Sequence, residues 1–212
     1  MATSGAPVSR SGGARSRRRT RSAWAGTPLV MATLVLAVTS GCSSSQAQGV
    51  ETPVAEVATA ADCLAPQVLT ALGVPQEVVA TRSPHADAPV AGQVPGGFVP
   101  VSVLSCELDG TLRDSDGVWS AITATRLEGD LDALVSALAL PSASRTGTCT
   151  GPQPLVPVLW LVDAMGRAVR PLWPTDRCGR PQPGVSEALE VLEATGSDTY
   201  RAALERAASP TG

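Results

Sequence analysis

The 212-residue chain contains no lysine and no asparagine, and only one histidine, one phenylalanine, one tyrosine and one isoleucine. Without lysine there is no Schiff-base or lysine-nucleophile chemistry and no phosphate-cradling P-loop lysine. Without asparagine there is no Asn-linked glycosylation site. These gaps read as the coding bias of a GC-rich gene more than as physics. Catalytic signatures are missing too: no Gly-x-Ser-x-Gly, Ser-x-x-Lys or His-Glu-x-x-His occurs. Neither does Cys-x-x-Cys or His-x-x-x-His, so the cysteines carry no metal-ligand spacing. The expectation is a protein with no cofactor and no metal that is not an enzyme.

What charge there is divides sharply. Six arginines (Arg10, Arg15, Arg17, Arg18, Arg19 and Arg21) and no acid precede residue 42. From Cys42 onward ten arginines face 19 acids, a net charge of −9. A domain so acidic and so poor in aromatics is not expected to bind nucleic acid. The basic segment is followed by an apolar stretch at 23–38, densest from Leu29 to Val38, and then by Thr39, Ser40, Gly41 and Cys42. Basic, apolar and small-residue segments in that order make an export signal, and the apolar part is shorter than the ~20 residues of a membrane span. The Arg17–Arg19 cluster leaves the Sec and twin-arginine export routes both open.

The Ser40-Gly41-Cys42 ending resembles the lipobox of bacterial lipoproteins, with Thr39 where Leu or Val is usual. The resemblance implies cleavage between Gly41 and Cys42 and acylation (a palmitate-type chain) on the Cys42 sulfur. The protein would then sit on the cell membrane, lipid-anchored at the extracytoplasmic face. The implied organisation is a signal peptide at 1–41, a flexible tether at 42–59 and one exported domain at 60–212. A flexible tether of that length has an end-to-end distance of ~20–25 Å.

Setting Cys42 aside leaves Cys63, Cys106, Cys149 and Cys178, an even number in an exported chain, which reads as two disulfides. Four cysteines allow three connectivities. Sequential pairing, Cys63 with Cys106 and Cys149 with Cys178, is favoured because it joins each early helix or loop to the strand after it.

Apolar spacing predicts helices at 66–72, 130–140, 185–194 and 198–208. It predicts strands at 76–81, 101–108, 118–127, 155–162 and 168–173, the last four as two hairpins. Pro157 and Pro171 push the second hairpin toward an edge position or a bulge. Residues 83–100, rich in Pro and Gly, read as a long loop. The fold class is α+β: a small antiparallel sheet of about four strands in two hairpins, with helices packed on one face and two disulfides.

Few residues invite a functional reading. Trp119, Trp160 and Trp173 all fall on predicted strands. On one open face they would form a binding surface for a sugar or peptide; in the core they are packing. Asp109, Asp114 and Asp116 crowd one hairpin turn, where they suit turn chemistry better than a Ca²⁺ loop. His85 with Asp87 could form an oriented base, but a solvated loop histidine is the simpler reading.

Residues 129–178 also resemble the subtilisin-inhibitor-like protease inhibitors. Gly129-Asp130-Leu131-Asp132-Ala133-Leu134 matches that family's helix start, and Cys149, the 157–163 strand region and Cys178 follow in order. The resemblance implies a reactive bond just after Cys149. The residues there are Thr150, Gly151 and Pro152, and a glycine offers no side chain to a protease pocket.

These features lead to the expectation of a lipid-anchored cell-envelope protein. Its disulfide-stapled domain would bind an envelope protein, a peptide or a glycan. The alternatives are a secreted-type protease inhibitor and a hydrolase using scattered carboxylates.

Overall fold

The computed structural model describes residues 52–81 and 85–209. The expected signal segment, Cys42 and the expected tether as far as residue 51 lie outside the described residues. In chain order the elements are β1 (Val57–Ala58), α1 (Pro66–Ala71), α2 (Gln76–Thr81), β2 (Pro100–Asp114), β3 (Gly117–Glu128), α3 (Asp132–Leu138), β4 (Val158–Asp163), β5 (Ala168–Val169), α4 (Pro183–Glu190) and β6 (Glu193–Ala207). Six strands form one antiparallel sheet in the order β1-β5-β4-β2-β3-β6. Among the described residues no helix is long and apolar enough to cross a membrane.

The sheet exceeds the expected four strands at both ends. At one edge, residues 52–59, read from the sequence as tether, belong to the fold: Ala55 is buried and β1 pairs with β5. At the other edge, residues 198–208, read as a helix, lie mostly in β6, which pairs with β3 from Glu128↔Glu193 to Gly117↔Ala207. A helix there would have little apolar face to bury. The strand instead satisfies its backbone along the open side of β3 and buries Ala202.

The helices cover both faces, not one. The central strand β4 shows why, because its sequence is apolar without alternation. Trp160 and Val162 point into a core with Val68, Leu69 and Leu72 of the α1 region and Val79 of α2. Leu159 and Leu161 point the other way, into a core with Leu134 and Leu138 of α3 and Val185 and Ala188 of α4. A strand buried on both sides loses the polar alternate positions of a half-exposed one. Residues 76–81, expected as a strand from Val78-Val79, form α2. Pro75 precedes its first turn, and the Val78 and Val79 amides donate to the Pro75 carbonyl at 3.0 and 3.1 Å.

Both cysteine pairs close as expected. Cys63–Cys106 lies inside the first core, while Cys149–Cys178 joins two surface loops.

The described part of the Pro/Gly-rich loop is threaded into the sheet edge. The Ala55 amide donates to Gln93 O (2.8 Å) and Gln93 returns a bond to Pro53 O (2.8 Å). On its other side, Gly92 donates to Arg170 O (3.1 Å) and accepts from Leu172 (3.0 Å). Glycine is required at 92, since a Cβ would lie 2.0 Å from Pro53 O.

Candidate ligand pocket

β4 and β5 pair only at Leu161↔Val169 and Val162↔Ala168. The ladder stops there for a chemical reason: Pro171 has no amide hydrogen to donate. Residues 170–172 turn instead to Gly92, as above. The expected disturbance at Pro157 and Pro171 is therefore real, and it divides two strands instead of placing them at an edge. The Trp173 indole N–H closes the far end of the split by donating to Pro157 O at 3.1 Å.

A pocket of about 220 Å³ opens in this split. Residues 156–159 and 170–173 line it, together with Ala71 and Ala91. The lining is apolar apart from one side chain, Arg170. That residue is only 9% exposed. Its guanidinium donates to Pro89 O at 2.8 Å and lies 5.8 Å from the centre of the Trp160 ring. Among the described residues its Nε is buried without a hydrogen-bond partner, and so is the Trp160 indole nitrogen. No carboxylate among the described residues forms an ion pair with it. Desolvation presses the guanidinium below the usual arginine range, yet arginine stays charged under any ordinary condition.

The nearby turn shows how a satisfied buried charge looks here. Asp163, 8% exposed, accepts the Met165 and Arg167 amides at 2.9 Å each and the Arg167 Nε–H at 2.7 Å. Desolvation raises its pKa, but the Arg167 bond and the two amides outweigh that and hold it below the usual carboxylate range.

The three tryptophans do not share a face. Trp160 is fully buried in the core beside α1 and α2. Trp173 packs against the opposite core and borders the pocket. Trp119 lies out on the β2–β3 hairpin, under Arg201 at 5.3 Å. The three therefore form no single aromatic face: Trp160 and Trp173 belong to different cores, and Trp119 lies on the hairpin.

The hairpin aspartates are turn and ion-pair residues. Asp114 Oδ1 accepts the Asp116 and Gly117 amides and the Trp119 indole N–H, and Oδ2 pairs with Arg201 at 2.9 Å. Desolvation of Asp114 is outweighed by these donors, which lower its pKa. Asp109 accepts from the Thr123 hydroxyl at 2.9 Å. His85 is oriented by Asp62, not Asp87: Nδ1 and Oδ2 are 2.7 Å apart, with both side chains about one-third exposed. No group of three or more His, Cys, Asp or Glu converges on a metal position among the described residues.

The loop after Cys149 is exposed throughout 141–155. It is braced against the Cys178 loop, with Arg180 donating to Thr150 O and the Gln153 side chain to Cys178 O. Gly151 there adopts φ +93°. Asp176 shapes the facing loop by accepting the Cys178 and Arg180 amides at 2.8 and 2.9 Å. The Arg180 amide bond, against an opposing desolvation, and then the Cys178 amide and the Arg180 and Arg177 charges lower its pKa.

Sequence reasoning did not single out Arg170. The signal was present as an arginine set between Ala168-Val169 and Pro171-Leu172-Trp173, a lone charge in an apolar run. Comparison with known proteins gives no match to a family model, to a curated protein or to a solved structure.

Proposed function

We propose that this chain is a lipid-anchored cell-envelope protein, acylated on Cys42 at the extracytoplasmic face, whose disulfide-stapled domain binds a ligand or partner and catalyses nothing. The observation that carries the reading is the use of the cysteines. Four of the five close into two bridges, the habit of an oxidising compartment. That leaves Cys42 by itself, directly behind the apolar run and Ser40-Gly41. The acidic charge of the exported part argues for an envelope protein, peptide or glycan partner over nucleic acid.

Intact mass of the membrane-extracted protein tests this, before and after reduction and alkylation. The expected mass is that of a chain starting at Cys42 plus acyl groups, with four alkyl additions that appear only after reduction. Retention of residues 1–41, or alkylation without reduction, refutes it.

A second reading, protease inhibition, draws support from the exposed 141–155 loop, which is held by a disulfide and two cross-loop hydrogen bonds. Assays of subtilisin and trypsin with micromolar purified protein decide it. Inhibition that disappears when Cys149–Cys178 is removed supports the reading, and full protease activity throughout ends it.

A further inference from the structure

We propose that the split between β4 and β5 is a binding site for a small monocarboxylic acid with an apolar body, its carboxylate held by Arg170. The inference rests on the reading of the domain as a binding module, and it is independent of the anchor.

Three observations lead to it. First, the site is a pocket and not a seam: the ladder is broken by Pro171, and the opening measures about 220 Å³. A dry apolar cavity of ~150 Å³ already takes one benzene ring. There is thus room for a ring or short aliphatic body plus a carboxylate, and not for a larger ligand. Second, the walls are apolar, so a strongly hydrated polyanion or a sugar would lose its water without replacement. Third, the one charge in the wall is a cation with no anionic partner among the described residues.

A buried charge left without an ionic partner is costly, and native proteins pair such groups or bind something that pairs them. The Arg170 Nε is sealed from solvent with no acceptor among the described residues, so a ligand would meet the terminal guanidinium nitrogens, and among the described residues the guanidinium makes one hydrogen bond, to Pro89 O. The neighbouring Asp163, equally buried, has every carboxylate oxygen satisfied. A carboxylate supplies the missing negative charge and two acceptor oxygens in a planar array that suits a guanidinium.

The test uses the full-length purified chain and phenylacetate as the probe, with neutral phenylacetamide as its isostere, followed by calorimetric titration. Phenylacetate is expected to bind at least about tenfold more tightly than the amide, the share of a charge-assisted hydrogen bond. Arg170→Met keeps the stem and removes the charge. It is expected to erase the difference between acid and amide while leaving the melting temperature unchanged or raised, because the uncompensated charge is gone. Were Arg170 only a structural prop for Pro89 and Trp160, Arg170→Met would lower the melting temperature, and acid and amide would bind the wild type alike. That result overturns the proposal.

Should Arg170→Met not fold, Ala91→Leu gives the second route. It fills the pocket without touching the charge and is expected to weaken phenylacetate binding at least about tenfold; unchanged binding overturns the proposal. Proton NMR of the probe after incubation separates the two readings. Absence of acid binding to folded chain defeats the pocket and leaves the anchored binding module standing. Conversion of bound probe to a new species defeats the binding-module reading instead.

Discussion

The two disulfides make the most informative comparison in the molecule. They close loops of similar length, with sequence separations of 43 and 29 residues. By the chain-entropy argument each bridge stabilises by about 3.5–4 kcal/mol, and the two differ by only about 0.4 kcal/mol. Their folded surroundings could hardly differ more. Cys63 and Cys106 are 4% and 0% exposed and sit among Val68, Leu69 and Trp160. Cys149 is exposed, Cys178 is half-buried, and their two loops are braced to each other by the Gln153 and Arg180 side chains. The lesson is that the same bond serves two ends: in the interior it is also packing, while on the surface it only shapes loops.

The largest effect should come from replacing the interior bridge. Cys63→Ala with Cys106→Ala removes the cross-link and leaves a void beneath α1. The expected loss is about 5 kcal/mol, comparable to the whole stability of a small domain. Urea unfolding measures it, and a loss no greater than that for the surface pair would dissolve the comparison.

Accessibility gives the next contrast. Under mild reduction without denaturant, Cys149 and Cys178 should alkylate at least about a hundredfold faster than Cys63 and Cys106, because exchange needs direct attack on sulfur. Labelling of all four at one rate would mean that the interior pair opens as readily as the loops do.

Removing the surface bridge should cost less. Cys149→Ala with Cys178→Ala is expected to lose about 2–3 kcal/mol, below the chain-entropy value because the freed loops recover motion in the folded state. Hydrogen exchange should rise in 142–157 and 174–182 and stay unchanged in β2 and β4. Spread of the exchange into those strands would show that the loop bridge supports the sheet after all.

The smallest effect concerns Asp176, which organises the Cys178 loop. Its folded pKa is lowered, so its contribution is complete above the ordinary carboxylate range, about pH 4, and is lost as pH falls through the folded value. Asp176→Asn should therefore lower the melting temperature by a few degrees at neutral pH and flatten its decline in acid. Asp163→Asn, at a buried turn with more donors, should do both more strongly. Equal effects would contradict the division between interior and surface.

How far the sequence could be read follows the same division. The cysteine pairing and both hairpins were legible because they depend on local spacing and on parity. β4 was legible as a strand, and its unbroken run Val-Leu-Trp-Leu-Val also carried the sign that both faces are covered, which the expectation of one-sided helices overlooked. β6 was not legible. Its second half, Arg-Ala-Ala-Leu-Glu-Arg-Ala, is rich in helix formers, and the open edge of β3, a partner about 65–90 residues earlier in the chain, overrode that preference. α2 was obscured by Val78 and Val79, whose β-branched side chains suit strands until Pro75 and the core select a helix. Arg170 stood out in sequence only as a charge in apolar company. Its lack of an ion pair with any acid among the described residues is a fact of the tertiary structure.

The seam at Gly92 has a mechanical side. The first described stretch of chain is bonded alongside residues 90–93, through Ala55, Glu56 and Gln93, and those residues are bonded in turn to Arg170 and Leu172. Tension at Thr52 directed along these strands would load the bonds together in shear, instead of peeling them one after another. A pull of that direction is met at the joint by several bonds at once. The small glycine at position 92, which lets three segments approach so closely, sets the strength of that joint.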